Sequence, residues 1–302
     1  MQRIEHSFVA MGGPCRLRMD CDDIATADRA IAAAEAEVRR LESKYSRYLP
    51  HSLTSKINRH AGDSSAVPID KETVGLLNYA NTLWRESDGM FDLTSGVLRR
   101  VWDFKSSRLP LQNEIDDLLP LVGWDTVQWD DTQVRLPRSG MELDFGGCVK
   151  EYACDSAVGV LRQNGIEHAL VDLGGDMAAF GGEASSDGGD APWQIGIRHP
   201  GEKDAAIAHL PLMAGGLASS GDYERCMEID GRRYGHILNP KTGWPVRGLA
   251  AVSVMADQCL VAGSTATIAL LMPEKVALLW LESLGVSWLA VDAQFNIHGT
   301  VR

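Results

Sequence analysis

The stretch from Ser219 to Val246 constrains the fold of this 302-residue chain more than any other, because it predicts a tight hairpin. The strand-like runs 226–229 and 232–237 flank the pair Asp230-Gly231. An Asp-Gly pair between two such runs is typical of a type I′ turn, since both central residues of that turn need positive φ. The chain is therefore expected to fold back on itself at this point.

A rigid corner, residues 239–243, follows the second strand of the predicted hairpin. Its Asn-Pro pair favours a turn, and Gly243 permits backbone conformations that other residues avoid. The second strand would carry His236 and Ile237 to this corner. An ordinary surface hairpin also accounts for the local pattern, so a functional interpretation depends on the rest of the chain.

Helical and strand-like patterns alternate along the chain, which predicts an α+β fold. Helices are predicted over 25–43, 71–86, 149–163, 262–272 and 273–284 from the spacing of apolar residues. Strands are predicted over 5–20 with a bend at 11–14, and over 141–145, 168–180, 193–198, 250–255, 286–291 and 296–301. Strands in hairpins between several helices favour mixed, mainly antiparallel sheets with flanking helices.

Charge and composition exclude several classes of function. A net charge of -12 argues against a nucleic-acid partner, because such binding rests largely on a basic face. The six cysteines form no C-x-x-C pair and no zinc-ligand spacing, which indicates scattered reduced thiols. The chain shows neither a signal peptide, nor a lipidation site, nor an apolar run long enough for a membrane span, so the prediction is a cytoplasmic protein without an integral membrane segment.

A candidate anion site lies where the predicted strand 141–145 leads through Gly146-Gly147 into a helix. Free backbone N–H groups and the positive end of the helix dipole would face the same point there. Lys150 would add a positive charge, and His236 is a residue type that accepts protons near neutral pH. A solvated helix position for Lys150 and a structural role for His236 in its own hairpin are the alternatives.

Several blocks of the chain, in order, resemble motifs of the FAD:protein FMN transferase (ApbE-like) family. The central stretch is similar to the family's SGDYER…HILDPRTG…P signature. Other blocks match as follows: Met11-Gly12 resembles the opening MGT, 47–58 the SRY-P-S…N loop, 87–104 the DG-FD…WGF segment, 144–155 the DLGGIAKGYAVD block, and 169–176 the ALVNLGGD block. The resemblance covers almost the whole chain.

The resemblance implies an enzyme that binds FAD, uses a divalent metal at its pyrophosphate, transfers FMN to a threonine of an acceptor flavoprotein and releases AMP. It places the flavin and adenine contacts on Met11, Tyr48, Ser87, Asp88, Gly89, Asp144, Lys150 and Ile237. His236 matches a histidine proposed as the base. Asp222 is a further catalytic candidate, although turn hydrogen bonds that orient the hairpin suit it better. The implied architecture is a single ApbE-like (T-fold-like) domain over 1–302, with two lobes around FAD as a variant.

Two positions depart from the family pattern near the implied metal. The family's A-D-A-L-A-T-A-L motif aligns with residues 262–269, so Gly263 replaces an aspartate while Thr267 is retained. Mg²⁺ depends on one or two carboxylates, so Gly147's carbonyl and Thr267's hydroxyl would hold it only weakly, together with FAD. Glu151 stands where the family usually has glycine. Restoring an aspartate at 263 is expected to strengthen magnesium dependence.

The glycine at 263 keeps two other functions open. One is a non-catalytic protein that stores or presents FAD, and the other is a pyrophosphatase that hydrolyses FAD to FMN and AMP. Release of AMP separates the first from an enzyme, and dependence of that release on an acceptor protein separates a transferase from a hydrolase.

Overall fold

The computed structural model describes residues 1–106, 108–184, 189–202, 205–222 and 226–301. The α-helices are α1 (Ile24–Tyr45), α2 (Leu53–Arg59), α3 (Lys71–Glu86), α4 (Gln112–Asp116), α5 (Val149–Gln163), α6 (Cys259–Leu271) and α7 (Glu274–Ser283). The 3-10 helices are Leu93–Arg100, Leu119–Leu121 and Trp124–Thr126. The strands are β1 (Gln2–Ala10), β2 (Gly13–Cys21), β3 (Val67–Pro68), β4 (Gln128–Trp129), β5 (Gln133–Arg135), β6 (His168–Leu173), β7 (Asp176–Phe180), β8 (Glu183–Ala184), β9 (Asp190–Ala191), β10 (Trp193–Arg198), β11 (Ala206–Leu212), β12 (Gly215–Gly221), β13 (Cys226–Ile229), β14 (Arg232–Gly235), β15 (Ala251–Ala256), β16 (Ser287–Val291) and β17 (Ile297–Gly299).

An eight-stranded sheet organises the molecule. Its strand order is β1-β2-β6-β7-β12-β15-β16-β17, and neighbouring strands run antiparallel. Strands from the beginning, middle and end of the chain share this sheet. The predicted α+β class with mainly antiparallel sheets is confirmed.

Both faces of this sheet are covered. Along β6, Val171 belongs to the main core with residues of α1, α5 and α6, whereas its neighbour Leu170 packs with Trp193 and other residues of the β10–β11 hairpin. Successive strand residues point to opposite faces, so this division shows helices on one side and the hairpin on the other. A strand buried on both faces is almost continuously apolar, as β6 is.

The predicted Asp-Gly hairpin is confirmed. Asp230 and Gly231 have φ of 52° and 70°, and β13 pairs with β14 with Ile229 opposite Arg232. The second strand ends at Gly235 rather than at residue 237. The strand is therefore shorter than predicted, and His236 lies just beyond it.

Tertiary contacts hold the corner 239–243 in place. Trp102 Nε1 donates a 2.7 Å hydrogen bond to the Gly243 carbonyl, and Gly243 has a φ of 71°. Trp102 also packs in one apolar cluster with Tyr234 of β14. The hairpin and the corner thus both pack against Trp102.

The strand predicted over 141–145 is wrong. These residues belong to no strand: Leu143 N–H donates to Asn58 Oδ1 at 2.7 Å, and Asp144 N–H donates to the Leu93 carbonyl at 2.9 Å. A side chain and the first carbonyl of the 3-10 helix Leu93–Arg100 satisfy these backbone groups instead of a neighbouring strand. The strand-like pattern of the sequence does not show which partners these groups find.

The helices agree more closely with the sequence-based expectation. α3 and α5 have the predicted bounds, and α6 begins at Cys259 rather than at residue 262. Among the helices of the described residues, none has the length and apolar character that crossing a membrane requires.

Candidate active site

Two turns lie side by side at one end of the eight-stranded sheet, because β2 pairs with β6. Met11 and Gly12 form the first turn, Gly174 and Gly175 form the second, and all four have positive φ. A Cβ added to Gly174 would lie 4.0 Å from Nζ of Lys150. These turns bring bare backbone close to a cationic side chain.

Lys150 is held at this end of the sheet by a buried carboxylate. Its Nζ lies 2.8 Å from Oδ2 of Asp176, which is the first residue of β7 and 3% exposed. Burial favours the neutral amine, but the Asp176 carboxylate outweighs that effect and raises the pKa of Lys150. Lys150 is therefore a fixed cation and not a proton acceptor near neutral pH.

The anion site that the sequence predicts would lie at the start of α5. Gly146 is exposed, and its N–H donates to Asp144 Oδ1 at 2.9 Å. Cys148 at the N-cap makes no side-chain capping bond, and α5 runs for 15 residues from Val149. The Cys148 and Val149 N–H groups donate to the Phe145 carbonyl at 3.0 and 2.9 Å, so it is the positive end of the helix dipole that favours negative charge at this point.

Arg47 brings Asp144 and Tyr48 together. The Arg47 guanidinium forms an ion pair with Asp144 and donates to the Tyr48 hydroxyl at 2.9 Å. The Tyr48 ring lies 5.0 Å from the guanidinium and is 73% exposed. An exposed aromatic ring on a fixed arginine is suited to stacking against a planar ligand.

The turn after α3 places three more predicted residues. Ser87 is buried and accepts a 2.8 Å hydrogen bond from the Phe91 N–H. Asp88 and Gly89 have φ of 51° and 75°, and the Asp88 carboxylate lies 2.8 Å from Lys241 Nζ. Asp88, Gly89 and Lys241 line part of an open cleft of about 680 Å³. This turn and the corner 239–243 therefore border one cavity.

Helices α5 and α6 run antiparallel and in contact. Asp155 accepts hydrogen bonds of 2.9 Å from the N–H groups of both Cys259 and Leu260, which begin α6. One turn earlier on α5, Glu151 packs against Gly263, which lies one turn later on α6. We name this line of contact the α5–α6 seam.

The two predicted metal ligands follow in the same direction along the chain. Thr267 is four residues after Gly263 on the same face of α6, and Gly147 directly precedes the N-cap of α5, so a shared metal site for the two stays a prediction. Thr267 Oγ1 lies 3.0 Å from Ser220 Oγ, at the end of β12. A Cβ on Gly147 would lie 3.3 Å from the Phe91 ring, so this position is closely packed.

Glu151 is the unusual group of the α5–α6 seam. It is 6% exposed, and its Oε2 makes no hydrogen bond within the described part of the chain. Burial is the largest cause that raises its pKa to about 8, and the nearby Asp176 carboxylate raises the pKa further. A buried carboxylate with an unused oxygen is a fit donor for a hard cation.

Asp222 packs against the chain just before His236. A Cβ on Gly235 would lie 2.7 Å from the Asp222 Cβ, and Arg233 Nη2 lies 3.5 Å from Asp222 Oδ1. Burial raises the pKa of Asp222. These contacts give Asp222 a role in positioning the strand that precedes His236.

The predicted residues converge in part. The segment 144–151 contains Asp144, which pairs with Arg47, and Lys150, which pairs with Asp176. It ends at Glu151 of the α5–α6 seam. His236 and Ile237 lie on the hairpin side, and their approach to the same ligand stays a prediction. Within the described ranges, no group of three or more His, Cys, Asp or Glu side chains is arranged to hold a metal ion.

Sequence reasoning left two residues of this region out of the candidate site. Asp176 anchors Lys150, and Arg47 links Asp144 to Tyr48. Both stand inside blocks that carry the family resemblance, but only the folded structure shows what their side chains contact.

Comparison with known proteins gives consistent matches. A family model described as the ApbE family matches residues 11–290. The FAD:protein FMN transferase of Klebsiella pneumoniae (strain 342) is 31% identical over 261 residues, covering 84% of this chain and 78% of that protein. The crystal structure of the ApbE protein of Thermotoga maritima has a TM-score of 0.89 at 31% identity and covers 99% of this chain and 97% of its own. The apo flavinyl transferase ApbE of Pseudomonas stutzeri has a TM-score of 0.85 at 27% identity, covering 99% and 95%.

Proposed function

The chain belongs to the ApbE family, and we propose that it is an FAD:protein FMN transferase that moves FMN from FAD to a threonine hydroxyl of an acceptor flavoprotein. In this reaction the threonine oxygen forms a bond to the phosphorus on the FMN side of the pyrophosphate. The bond from that phosphorus to the bridging oxygen breaks, and AMP leaves. The products are a phosphoester-linked flavin and AMP.

The observation that carries this proposal is the anion site at the start of α5. The positive end of the α5 dipole, Lys150 and the glycine turns of two hairpins lie at one end of the sheet. A pyrophosphate placed there would have its negative charge balanced by fixed donors. Because Asp176 holds the Lys150 ammonium, this cation would need little reorganisation during the reaction.

The residues around this point supply the other requirements. Tyr48 on its Arg47 support offers an aromatic surface, and the turn 87–89 borders the neighbouring cleft. His236 is the proposed base, and its imidazole would take the proton of the attacking hydroxyl. Asp222 would act through the hairpin as a positioning residue.

A divalent cation such as Mg²⁺ belongs to this proposal. The Gly147 carbonyl and the Thr267 hydroxyl would hold it on the α5–α6 seam, and the buried Glu151 carboxylate beside them fits the donor chemistry. When bound, such an ion supplies positive charge to the pyrophosphate oxygens.

The test is to incubate the purified protein with FAD, Mg²⁺ and a cell extract of its source organism, which supplies the acceptor protein. We expect a protein band of the extract that fluoresces under ultraviolet light after denaturing electrophoresis, together with AMP detected by chromatography. AMP without a fluorescent band would favour hydrolysis of FAD, and binding of FAD without either product would favour a storage protein. Both outcomes would contradict the transferase.

A further inference from the structure

Glu151 is a buried carboxylate that the fold does not satisfy. Its Oε2 has no hydrogen-bond partner among the described residues, and its side chain is 6% exposed. The neighbouring cation, Lys150, is engaged with Asp176 at 2.8 Å. Burying an unsatisfied ionisable group is unfavourable, so its retention in the core of the α5–α6 seam points to a ligand.

The space that Glu151 fills is the space of a side chain at position 263. A Cβ added to Gly263 would lie 2.5 Å from Glu151 Cγ and 2.8 Å from its Oε1. Real Cβ atoms do not approach other atoms so closely, and the Glu151 side chain is buried, so one carboxylate fits here and two do not. The carboxylate of Glu151 on α5 therefore occupies the space where the family pattern has an aspartate on α6.

The neighbouring segments include the two metal ligands that the family resemblance implies. Thr267 lies one turn after Gly263 on the same face of α6, and Gly147 directly precedes the N-cap of α5. Because the two helices are antiparallel, both residues lie from Glu151 toward the start of α5, where the anion site is predicted. Mg²⁺ is usually held by one or two protein carboxylates together with substrate phosphates and water, so a site without three acidic ligands is sufficient.

We propose that Glu151 is the carboxylate ligand of a divalent cation that binds together with the pyrophosphate of FAD. This inference rests on the proposed function for the identity of the phosphate ligand. It also changes the expectation for Gly263→Asp. In the presence of Glu151, the new side chain overlaps an occupied position, so the single substitution weakens the fold instead of strengthening the metal site.

The experiment is a Mn²⁺ titration of FAD-saturated protein, with free Mn²⁺ measured by electron paramagnetic resonance. We expect Glu151→Gln, which keeps the shape and removes the charge, to weaken Mn²⁺ binding by at least about tenfold. FAD binding measured without metal should stay within about threefold of the original protein. The double variant Glu151→Gly/Gly263→Asp should bring Mn²⁺ affinity back to within about threefold.

Two variants serve as controls. Glu86→Gln removes an exposed carboxylate at the end of α3 and should leave Mn²⁺ binding unchanged. Gly263→Asp alone should have a lower Tm than the double variant, because only the double variant removes the overlap with Glu151.

Unchanged Mn²⁺ affinity in Glu151→Gln, or failure of the double variant to recover it while it remains folded, would overturn the inference. FMN transfer and AMP release are measured separately on the original protein. Loss of Mn²⁺ binding in Glu151→Gln without any FMN transfer by the original protein would support the metal ligand and contradict the transferase. FMN transfer by the original protein together with full Mn²⁺ affinity in Glu151→Gln would support the transferase and contradict the metal ligand.

Discussion

At the scale of single residues, two neighbouring charged side chains of α5 have different contacts. Lys150 is a cation fixed by a buried partner, whereas Glu151, the next residue, is a carboxylate with an unused oxygen. The two side chains leave α5 in different directions, one toward β7 and one toward α6. A single turn of α5 thus carries a fixed cation and a buried carboxyl group with an unused oxygen.

His236→Ala tests the proposed base. We expect AMP release to fall by at least about 10²-fold, because the attacking hydroxyl would lose the imidazole that takes its proton. FAD affinity should change by less than about fivefold, as measured by isothermal titration. His209→Ala, on the exposed side of β11, is the matched control and should keep full activity. Loss of FAD binding in His236→Ala would make His236 a structural residue.

The contact between Glu151 and Gly263 explains what sequence reasoning could and could not reach. The sequence motifs at 144–155 and 262–269 show separately that Glu151 and Gly263 differ from the family pattern. That the two positions touch depends on the antiparallel register of α5 and α6, which no local pattern encodes. The same holds for Asp176, whose partner Lys150 lies on a different element.

At the scale of elements, ion pairs join α1 to α3. Glu72 in the first turn of α3 lies 2.6 Å from both Arg40 and Lys44 of α1. The hydrogen bond from Arg40 is the largest cause that lowers the pKa of Glu72, to about 2 from an ordinary 4.5. Because the folded-state pKa lies below the unfolded one, this contribution to stability is complete above about pH 4.5 and is lost as the pH falls toward 2.

Thermal unfolding between pH 5 and pH 2.5 tests this linkage. The lost contribution should be on the order of 1–2 kcal/mol after screening by solvent, so Glu72→Gln should unfold at a lower temperature than the original protein at pH 5 and show a smaller fall in Tm with acid. Glu86→Gln on the same helix should show the acid dependence of the original protein. An equal fall in Tm for Glu72→Gln and the original protein would contradict the assignment.

The corner 239–243 gives a second prediction at this scale. Gly243 and Gly285 have similar φ of 71° and 68°, but a Cβ on Gly243 would overlap Ile115 Cγ2, whereas a Cβ on Gly285 meets nothing within 4 Å. Alanine at Gly285 should cost about 1 kcal/mol for the backbone conformation alone. Alanine at Gly243 should cost roughly 2 kcal/mol more, because the packing must also shift. Urea unfolding of both variants measures the difference, and equal costs would show that the corner tolerates a side chain.

Local patterns predicted those elements whose stability is local. The bounds of α3 and α5 follow from helical periodicity, and the hairpin turn follows from Asp230-Gly231. The segment 141–145 is not the strand that its pattern predicts, because Asn58 and Leu93 rather than a neighbouring strand satisfy its backbone. A strand-like pattern of apolar residues shows that the backbone of a segment needs hydrogen-bond partners. It does not show which partners the fold provides.

At the scale of the whole molecule, the eight-stranded sheet brings distant segments to one place. The turn 11–12, the turn 174–175 and the end of β12 lie at the same end of the sheet, beside the start of α5. The order of the family-like blocks along the chain identified these segments. Their assembly into one site depends on strand pairing between the two halves of the chain.

In the proposed complex, the pyrophosphate of FAD lies over the start of α5, with a divalent cation on the α5–α6 seam. A crystal structure with FAD and Mn²⁺ would locate both, because manganese has an anomalous signal. We expect FAD phosphate oxygens over the start of α5 and near Lys150, and a manganese peak within ligand distance of Glu151 and Thr267. FAD bound elsewhere, or a manganese peak away from Glu151, would contradict it.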